Sequence, residues 1–333
     1  MIDKTIIIAE AGVNHNGSIR LAKKLIDVAA KSKVDYVKFQ TFIAKKNIST
    51  YAQMARYQIE NTGDSYESQL DMVKKLEISF EDHHILIDYC NKKGIKFLST
   101  AFDFESIDFL KDKVDLYKIP SGEITNLPYL ERVAKLNLPI VMSTGMATME
   151  EVEEAFNVLV RGGVERNEIT ILHCNTEYPT PMEDVNLAAM VTMGKSLGVN
   201  FGYSDHTLGV EIPIAAVALG AKVIEKHFTL DRTMEGPDHK ASLNPNELVA
   251  MVKGIRNIEI AIGNGIKKPS KSEYKNISIA RKSIVAIKAI KKGEVFSINN
   301  IGTKRPGTGI SPMKWYDIIG TRANKNYYLD ELI

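Results

Sequence analysis

Eight short runs of β-branched and aromatic residues, spread between residues 5 and 228, restrict the fold of this chain more than any other feature. They read TIIIAEAG (5–12), DYVKFQT (35–41), KFLSTAF (96–102), DLYKIPSGE (115–123), IVMSTG (140–145), ITILHCN (169–175), NFGYSDH (200–206) and KVIEKHF (222–228). Most are separated by segments such as IRLAKKLIDVAAKS and MEEVEEAFNVLVRG, whose apolar residues recur three and four apart and so line one face of a helix. A helix between successive strands is a crossover connection, which makes the strands parallel. Eight such units predict an α/β chain folded as a (β/α)8 TIM barrel. A doubly wound open sheet usually has fewer strands and often a glycine-rich phosphate turn after its first; neither G-x-G-x-x-G nor G-x-x-x-x-G-K-[ST] occurs here.

Nearly every apolar run ends in compact polar groups: Glu10; Lys38 and Gln40; Ser99 and Thr100; Lys118, Ser121 and Glu123; Ser143 and Thr144; His173 and Asn175; Ser204, Asp205 and His206; Glu225 and His227. In a barrel these converge on the C-terminal rim of the strands, where active sites are built. Lys38 and Lys118 each interrupt an apolar strand, and a buried ammonium requires an anionic partner. His206 and His227 end consecutive strands; two neutral imidazoles with a carboxylate and water suit a divalent Mn, Fe, Co or Zn. The hydroxyls and amides of Thr100, Ser121, Ser143, Asn175 and Ser204, with two ammonium groups, match a small phosphorylated and carboxylated anion. A sugar phosphate and phosphoenolpyruvate both satisfy that description. Glu10, Glu123 and Asp238 remain for proton transfer or for the hydroxyls of a polyol. The other histidines divide differently. His15 is equally a loop-ordering group or a ligand, His83 and His84 belong to packing or surface, His173 belongs to the core, and His239 has no assigned role, nor has Lys240. Asp231 and Glu235 are expected to pair within their loop.

Forty-three basic and 41 acidic residues give a net charge of +2, which offers no footprint for nucleic acid or an anionic membrane. Cys90 and Cys174 are read as buried thiols, in keeping with a reducing compartment. No apolar run approaches the ~20 residues of a spanning helix, and the N-terminal run is too short for a secretory signal, so a cytoplasmic location is expected. Residues 43–80 form an insert too polar for core and are expected to make a lid. The Gly-, Lys- and Ser-rich stretch beyond residue 260 reads as a linker, and the final segment changes to short strands and turns. The expected division is a barrel over 1–262, a linker over 263–279 and a small β-rich domain over 280–333.

The motifs AEAGVNHNGS, VKFQTF, FLSTAFD, KIPSGEITNLPYL, STGMAT, HCNTEYPTP, YSDHT, EKHFTLD, GPDHKASL, KGEVFS and TKRPGTGISP occur in this order along the chain. Together they resemble the sialic acid synthase family, the phosphoenolpyruvate-dependent nonulosonate synthases, over essentially the whole length. The resemblance implies a TIM barrel followed by an antifreeze-like (SAF) domain, in a domain-swapped homodimer whose small domain caps the partner's barrel. It implies a divalent metal, Mn2+ first with Mg2+ or Co2+ as alternatives, on His206 and His227. It assigns phosphoenolpyruvate to Lys38, Thr100, Lys118, Ser121, Ser143, Asn175 and Ser204. It assigns an acylated amino hexose to Gln40, Tyr178, Asp238 and, from the partner's small domain, Arg305. Glu10 and Glu123 match the catalytic acidic pair.

The implied reaction condenses phosphoenolpyruvate with N-acetylmannosamine and water, giving N-acetylneuraminate and phosphate. The alternative sugar is 2,4-diacetamido-2,4,6-trideoxymannose, giving N,N'-diacetyllegionaminate. RYQIENTGDSYESQL resembles the neuraminate enzymes, whereas IIIAEAGVNHNG and GIKKPSKSE resemble the legionaminate type; the balance is placed with neuraminate. Two rivals lie outside this reaction: a metal-dependent aldolase or sugar-phosphate hydrolase on the same fold, and an ice-binding protein suggested by the tail alone.

Overall fold

The computed structural model describes residues 4–56, 58–59 and 68–333. Each of the eight runs forms a strand: β1 (Ile6–Gly12), β2 (Tyr36–Thr41), β3 (Lys96–Ala101), β4 (Tyr117–Ile119), β5 (Ile140–Ser143), β6 (Ile169–His173), β7 (Asn200–Asp205) and β8 (Val223–His227). The ladders between them are parallel, and their order β3-β2-β1-β8-β7-β6-β5-β4 is the chain order closed into a ring, with β3 and β4 side by side at the seam. The fold is therefore a (β/α)8 barrel. Strands covered by helices outside and side chains inside are apolar on both faces, which is why Ile7, Ile8 and Ala9 are consecutive and all fully buried. β4 is short because Pro120 follows Ile119 and has no N–H to give the ladder.

The outer helices are set by local chemistry before they pack. Ser18, Ser79, Asn126 and Thr148 each accept a backbone N–H at the first turn of a helix, which satisfies donors that the helix itself leaves open. Helix Met149–Arg161 has a complete capping box from Thr148 and Glu151, and it buries Val152, Ala155, Phe156 and Leu159, the three-and-four spacing of one face. Among the described residues no helix is long and apolar enough to cross a membrane.

The chain divides into two compact units, residues 1–263 and 264–333. In the second, β9 (Ser283–Ala286) pairs antiparallel with β10 (Ile301–Lys304), and isolated bridges join Val285 to Leu332, Ile290 to Tyr327 and Val295 to Arg322. Its own small core holds Ile284, Ala286, Ile290, Phe296, Ile301, Ala323 and Tyr327. The stretch read as a linker contains a helix. Ser270 and Glu273 form a capping box that starts helix Lys271–Ala280, a signal present in the sequence but outweighed there by its polar composition. The insert also differs from expectation. Ala44, Met72 and Leu76 are buried, and Ala44 and Leu76 join Val13 and Phe42 in a separate apolar cluster. Residues 57 and 60–67 of the insert lie outside the described residues.

Candidate active site

Strand register decides which polar groups meet. Glu10 on β1 lies level with Lys38 on β2 and with His227 on β8, and Ser204 on β7 lies level with Glu225 on β8. Level partners on parallel strands point to the same side, so these five side chains share the barrel interior near its rim. Both lysines find anions there. Lys38 Nζ is 2.6 Å from Glu10 Oε2 and 3.6 Å from Glu225 Oε2, and Lys118 Nζ is 3.6 Å from Glu225 Oε1. Lys38 also donates to Thr100 Oγ1 at 3.2 Å, and Ser204 Oγ donates to Glu225 Oε1 at 3.0 Å.

Glu225 stands at the rim in the sequence, but nothing there marks it as the carboxylate both lysines share. The signal was its spacing: Glu225 and His227 are two apart on one strand and therefore face the same way. Burial pushes Glu10 upward, and Lys38 only partly offsets it. Burial acts on Glu225 in the same sense, but Lys118 and Lys38 outweigh it and hold that carboxyl low. Lys118, with one carboxylate in reach against the two beside Lys38, is lowered by burial, while Lys38 is held up by Glu10 and Glu225 against the same burial.

Gly12 ends β1 beside this cluster at φ +50, where the register of β1 on β2 shifts. A Cβ at Gly12 would stand 3.1 Å from Glu10 Oε1, 3.5 Å from His227 Cε1 and 3.6 Å from Asp238 Oδ2. The position therefore needs glycine both for its left-handed backbone and for the room it leaves.

His206 and His227 come together with ring centroids 5.3 Å apart, and Tyr178 stacks on His206 at 4.0 Å. His206 Nδ1 donates to the carbonyl of Asn175, which fixes the tautomer and leaves Nε2 with a lone pair. His227 Nδ1 is buried without a hydrogen-bond partner, 3.6 Å from Asp238 Oδ2. Burial keeps both rings neutral, His206 at about 4 and His227 well below the usual value. Two neutral imidazoles with nitrogen lone pairs are a fit for a divalent metal. Among the described residues no three His, Cys, Asp or Glu groups converge on one metal-sized point. Behind the two histidines, Lys226 and Asp205 form a fully buried ion pair at 2.6 Å. It ties the ends of β7 and β8 together from the side opposite the site.

The walls enclose two adjoining cavities. One, of about 570 Å³, is lined by Glu10, Lys38, Thr100, Lys118, Ser121, Ser143, Ser204, Glu225 and His206. The second, of about 450 Å³, is lined by Glu123, Pro237 and Asp238 together with apolar groups of the insert. Gln40, Gln69, Phe102, Gly122, Tyr178 and His227 line both. Most of the expected residues are thus brought to one place. Glu10 lines the larger cavity and Glu123 the smaller. Asn175 is not in either wall: its Oδ1 accepts from the N–H of Glu177 and its carbonyl orients His206. Arg305 belongs to the second unit, where its Nε donates to the carbonyl of Ala280.

Burial and local hydrogen bonds hold the other polar groups around the rim. Burial raises Glu123, against a hydrogen bond at 2.6 Å from Asn126 Nδ2, and raises Asp238 to about 6. Asp238 is held by its carbonyl, which accepts from Ser242 Oγ at 2.6 Å, while Asn14 Nδ2 donates to Ser242 Oγ and to the carbonyl of Phe228. His239 bridges Thr229 Oγ1 at 2.7 Å and Asn16 Oδ1 at 3.2 Å, and so clamps the loop after β8 to the loop after β1. His15 orders its turn, accepting the Gly17 N–H at 3.0 Å on Nδ1. His83 is buried against Thr41 Oγ1 at 2.9 Å, and His84 is exposed. Asp231 caps Thr233 within its own loop. Cys174 is a buried thiol on the wall of the larger cavity, 3.1 Å from Ser121 Oγ. The sequence offered no sign of that contact.

Comparison with known proteins places these features in a family. The NeuB family model matches residues 25–267 and the SAF domain model residues 281–333. The chain is 58% identical over 331 residues to the N,N'-diacetyllegionaminic acid synthase of Campylobacter jejuni, covering 99% of each. It is 45% identical over 323 residues to the protein of the same name from Legionella pneumophila, covering 96% of this chain and 90% of that one. Among solved structures it is similar to the N-acetylneuraminic acid synthetase of Leptospira borgpetersenii in complex with citrate, at TM-score 0.71 and 35% identity, covering 82% of this chain and 90% of that one.

Proposed function

We propose that the chain makes N,N'-diacetyllegionaminate, and the premise is membership: the chain belongs to the NeuB family of phosphoenolpyruvate-dependent, carbon–carbon bond-forming synthases and carries a C-terminal SAF domain. The sugar placed second from the sequence, 2,4-diacetamido-2,4,6-trideoxymannose, thereby moves ahead of N-acetylmannosamine. Its support is the likeness, over nearly the full length of each, to two proteins named N,N'-diacetyllegionaminic acid synthase. The observation that carries the reaction itself is the pair of adjoining cavities, one lined by both buried lysines with Glu10 and Glu225 and the other by Glu123 and Asp238, with His227 and Tyr178 lining both. Such a layout suits an acid phosphate and a sugar that react where the two spaces meet.

In this reading Lys38 and Lys118 neutralise phosphoenolpyruvate, while Thr100, Ser121, Ser143 and Ser204 fix its oxygens. Holding both reactants in attack geometry is worth several kcal/mol, roughly 7–11 at best. Asp238, Gln40 and Tyr178 orient the open-chain sugar so that its aldehyde carbon faces the methylene carbon of phosphoenolpyruvate. A divalent metal held by His206 and His227 would polarise the aldehyde oxygen. Bond formation leaves positive charge on the carbon bearing phosphate, and the nearby carboxylates Glu10 and Glu225 stabilise it. Glu123, raised by burial, accepts a proton from the water that adds to that carbon. Collapse of the tetrahedral adduct releases phosphate and leaves the 2-keto acid. Arg305, delivered by a partner subunit in a domain-swapped dimer, completes the sugar site in this proposal.

The test is steady-state phosphate release by the full chain with Mn2+, phosphoenolpyruvate and each sugar in turn. A kcat/KM at least tenfold higher for the diacetamido sugar is expected. Equal or better use of N-acetylmannosamine overturns the sugar assignment, and phosphate release without any sugar, or use of pyruvate, overturns the reaction.

A further inference from the structure

The smaller cavity has two chemically unlike walls. On one side stand Gln40, Glu123, Tyr178 and Asp238, all able to hydrogen-bond a polyol. The same cavity is lined by Val13, Phe42, Met72, Val73, Leu76 and Phe102, with no side-chain oxygen or nitrogen among them, and also by Asn47, Ser49, Gln58 and Gln69. The second wall is not an extension of the barrel core. It is the separate apolar cluster of Val13, Phe42, Ala44 and Leu76, against which Val73 and Phe102 pack half-exposed. Helix Gln69–Lys75 contributes Met72 and Val73, and Ser68 caps its first turn by accepting the N–H of Asp71. A cluster this small contributes little to the barrel's own stability, yet it presents half-exposed apolar side chains to a substrate cavity.

We propose that Met72, Val73 and Phe102 form a deoxy-sugar selector: an apolar wall that seats the C6 methyl edge of the sugar and discriminates against a hydroxyl at that carbon. The inference rests on the substrate class proposed above and adds the residues that enforce it. A hydroxymethyl group pressed against Met72, Val73 and Phe102 would lose its water and gain no partner from those three side chains, whereas a methyl group loses nothing by leaving water. The discrimination obtainable from an apolar pocket against one added hydroxyl is limited, on the order of 100-fold. A methyl-bearing sugar therefore gains on one edge, while its remaining hydroxyls keep the polar groups of the cavity.

Three sugars separate this inference from the reaction it rests on: the 2,4-diacetamido-2,4,6-trideoxymannose, N-acetylmannosamine, and 2-acetamido-2,6-dideoxymannose, which differs from N-acetylmannosamine only at C6. The wild-type chain is expected to use the 6-deoxy sugar with a kcat/KM roughly 10- to 100-fold above that for N-acetylmannosamine. Val73→Thr, which keeps the shape and adds a hydroxyl, and Met72→Gln are expected to cut that ratio by about tenfold, chiefly by raising KM for the two deoxy sugars. Wild-type preference for the trideoxy sugar with no distinction between 6-deoxy and 6-hydroxy forms overturns the selector and leaves the proposed function standing. An unchanged ratio in both variants, with all sugars losing equally, reports damage to the helix and also overturns the selector. Failure of every sugar to support phosphate release overturns the proposed function instead.

Discussion

Glu225→Gln tests the charge arrangement at the centre of the barrel. The wild-type cluster holds two ammonium groups and two carboxylates, and Glu225 is the only carboxylate among the described residues within 4.0 Å of Lys118 Nζ. Its oxygens lie 3.6 Å from Lys118 and 3.6 Å from Lys38. At an effective dielectric of about 20 each contact is worth roughly 4–5 kcal/mol. Most of that offsets the cost of burying the carboxylate, so the full sum is not lost. Removing one partner of a buried ion pair while leaving the other in place costs about 3–5 kcal/mol. The amide introduced by Glu225→Gln would retain the hydrogen bond from Ser204 and the shape of the site, which puts the expected loss near the low end, ~3 kcal/mol.

The assay is thermal unfolding of wild type and variant at neutral pH, with and without phosphoenolpyruvate. At about 2–4 °C per kcal/mol the midpoint should fall by roughly 6–12 °C. Because a bound anion would replace the missing countercharge, phosphoenolpyruvate should stabilise the variant more than the wild type. An unchanged midpoint would refute the role of Glu225 as shared countercharge. Equal stabilisation of both proteins by phosphoenolpyruvate would refute the idea that substrate takes over that role.

Three further outcomes are expected. His15 is held neutral by burial, its value lowered to about 3, so below the unfolded-state value of roughly 6.5 the unfolded chain binds the extra proton first. Stability is fully present above about pH 6.5 and is lost as pH falls toward 3, by up to ~1.4 kcal/mol per pH unit; unfolding free energies measured from pH 7 to 4.5 should show a shallower slope for His15→Gln. Gly12→Ala places a Cβ 3.1 Å from Glu10 Oε1 at φ +50, which costs about 1–2 kcal/mol in backbone alone, and it should lower kcat more than it raises KM for phosphoenolpyruvate. If Arg305 acts across a domain-swapped dimer, Arg305→Ala and Lys118→Ala should each be nearly inactive alone, while heterodimers re-formed from the two, with one intact site of two, should regain up to half the activity of the wild-type dimer; no recovery in verified heterodimers counts against the shared site.

The groups on the eight strands were legible because strand ends are where a parallel barrel collects its polar side chains. Lys38 and Lys118 could be marked as needing anions from their apolar neighbours alone. What the sequence could not identify was the partner, since Glu225 lies 187 and 107 residues away from them in the chain (225 − 38 and 225 − 118). His239 and Asn14 were opaque for the same reason: both clamp loops that meet only after the barrel closes. Asn175 was legible as polar, but not that its Oδ1 would accept the Glu177 N–H of its own turn.

The sequence by itself determined the strand-and-helix alternation, the eightfold closure and the ring of functional groups, since these follow from short-range periodicity and from the direction in which successive side chains point. Tertiary structure alone decided the pairing of charges, the placing of Glu10 and Glu123 in different cavities, and the apolar cluster that the insert shares with Val13 and Phe42. Those are properties of distance across the closed ring, and a linear pattern carries no distance between residues that closure brings together.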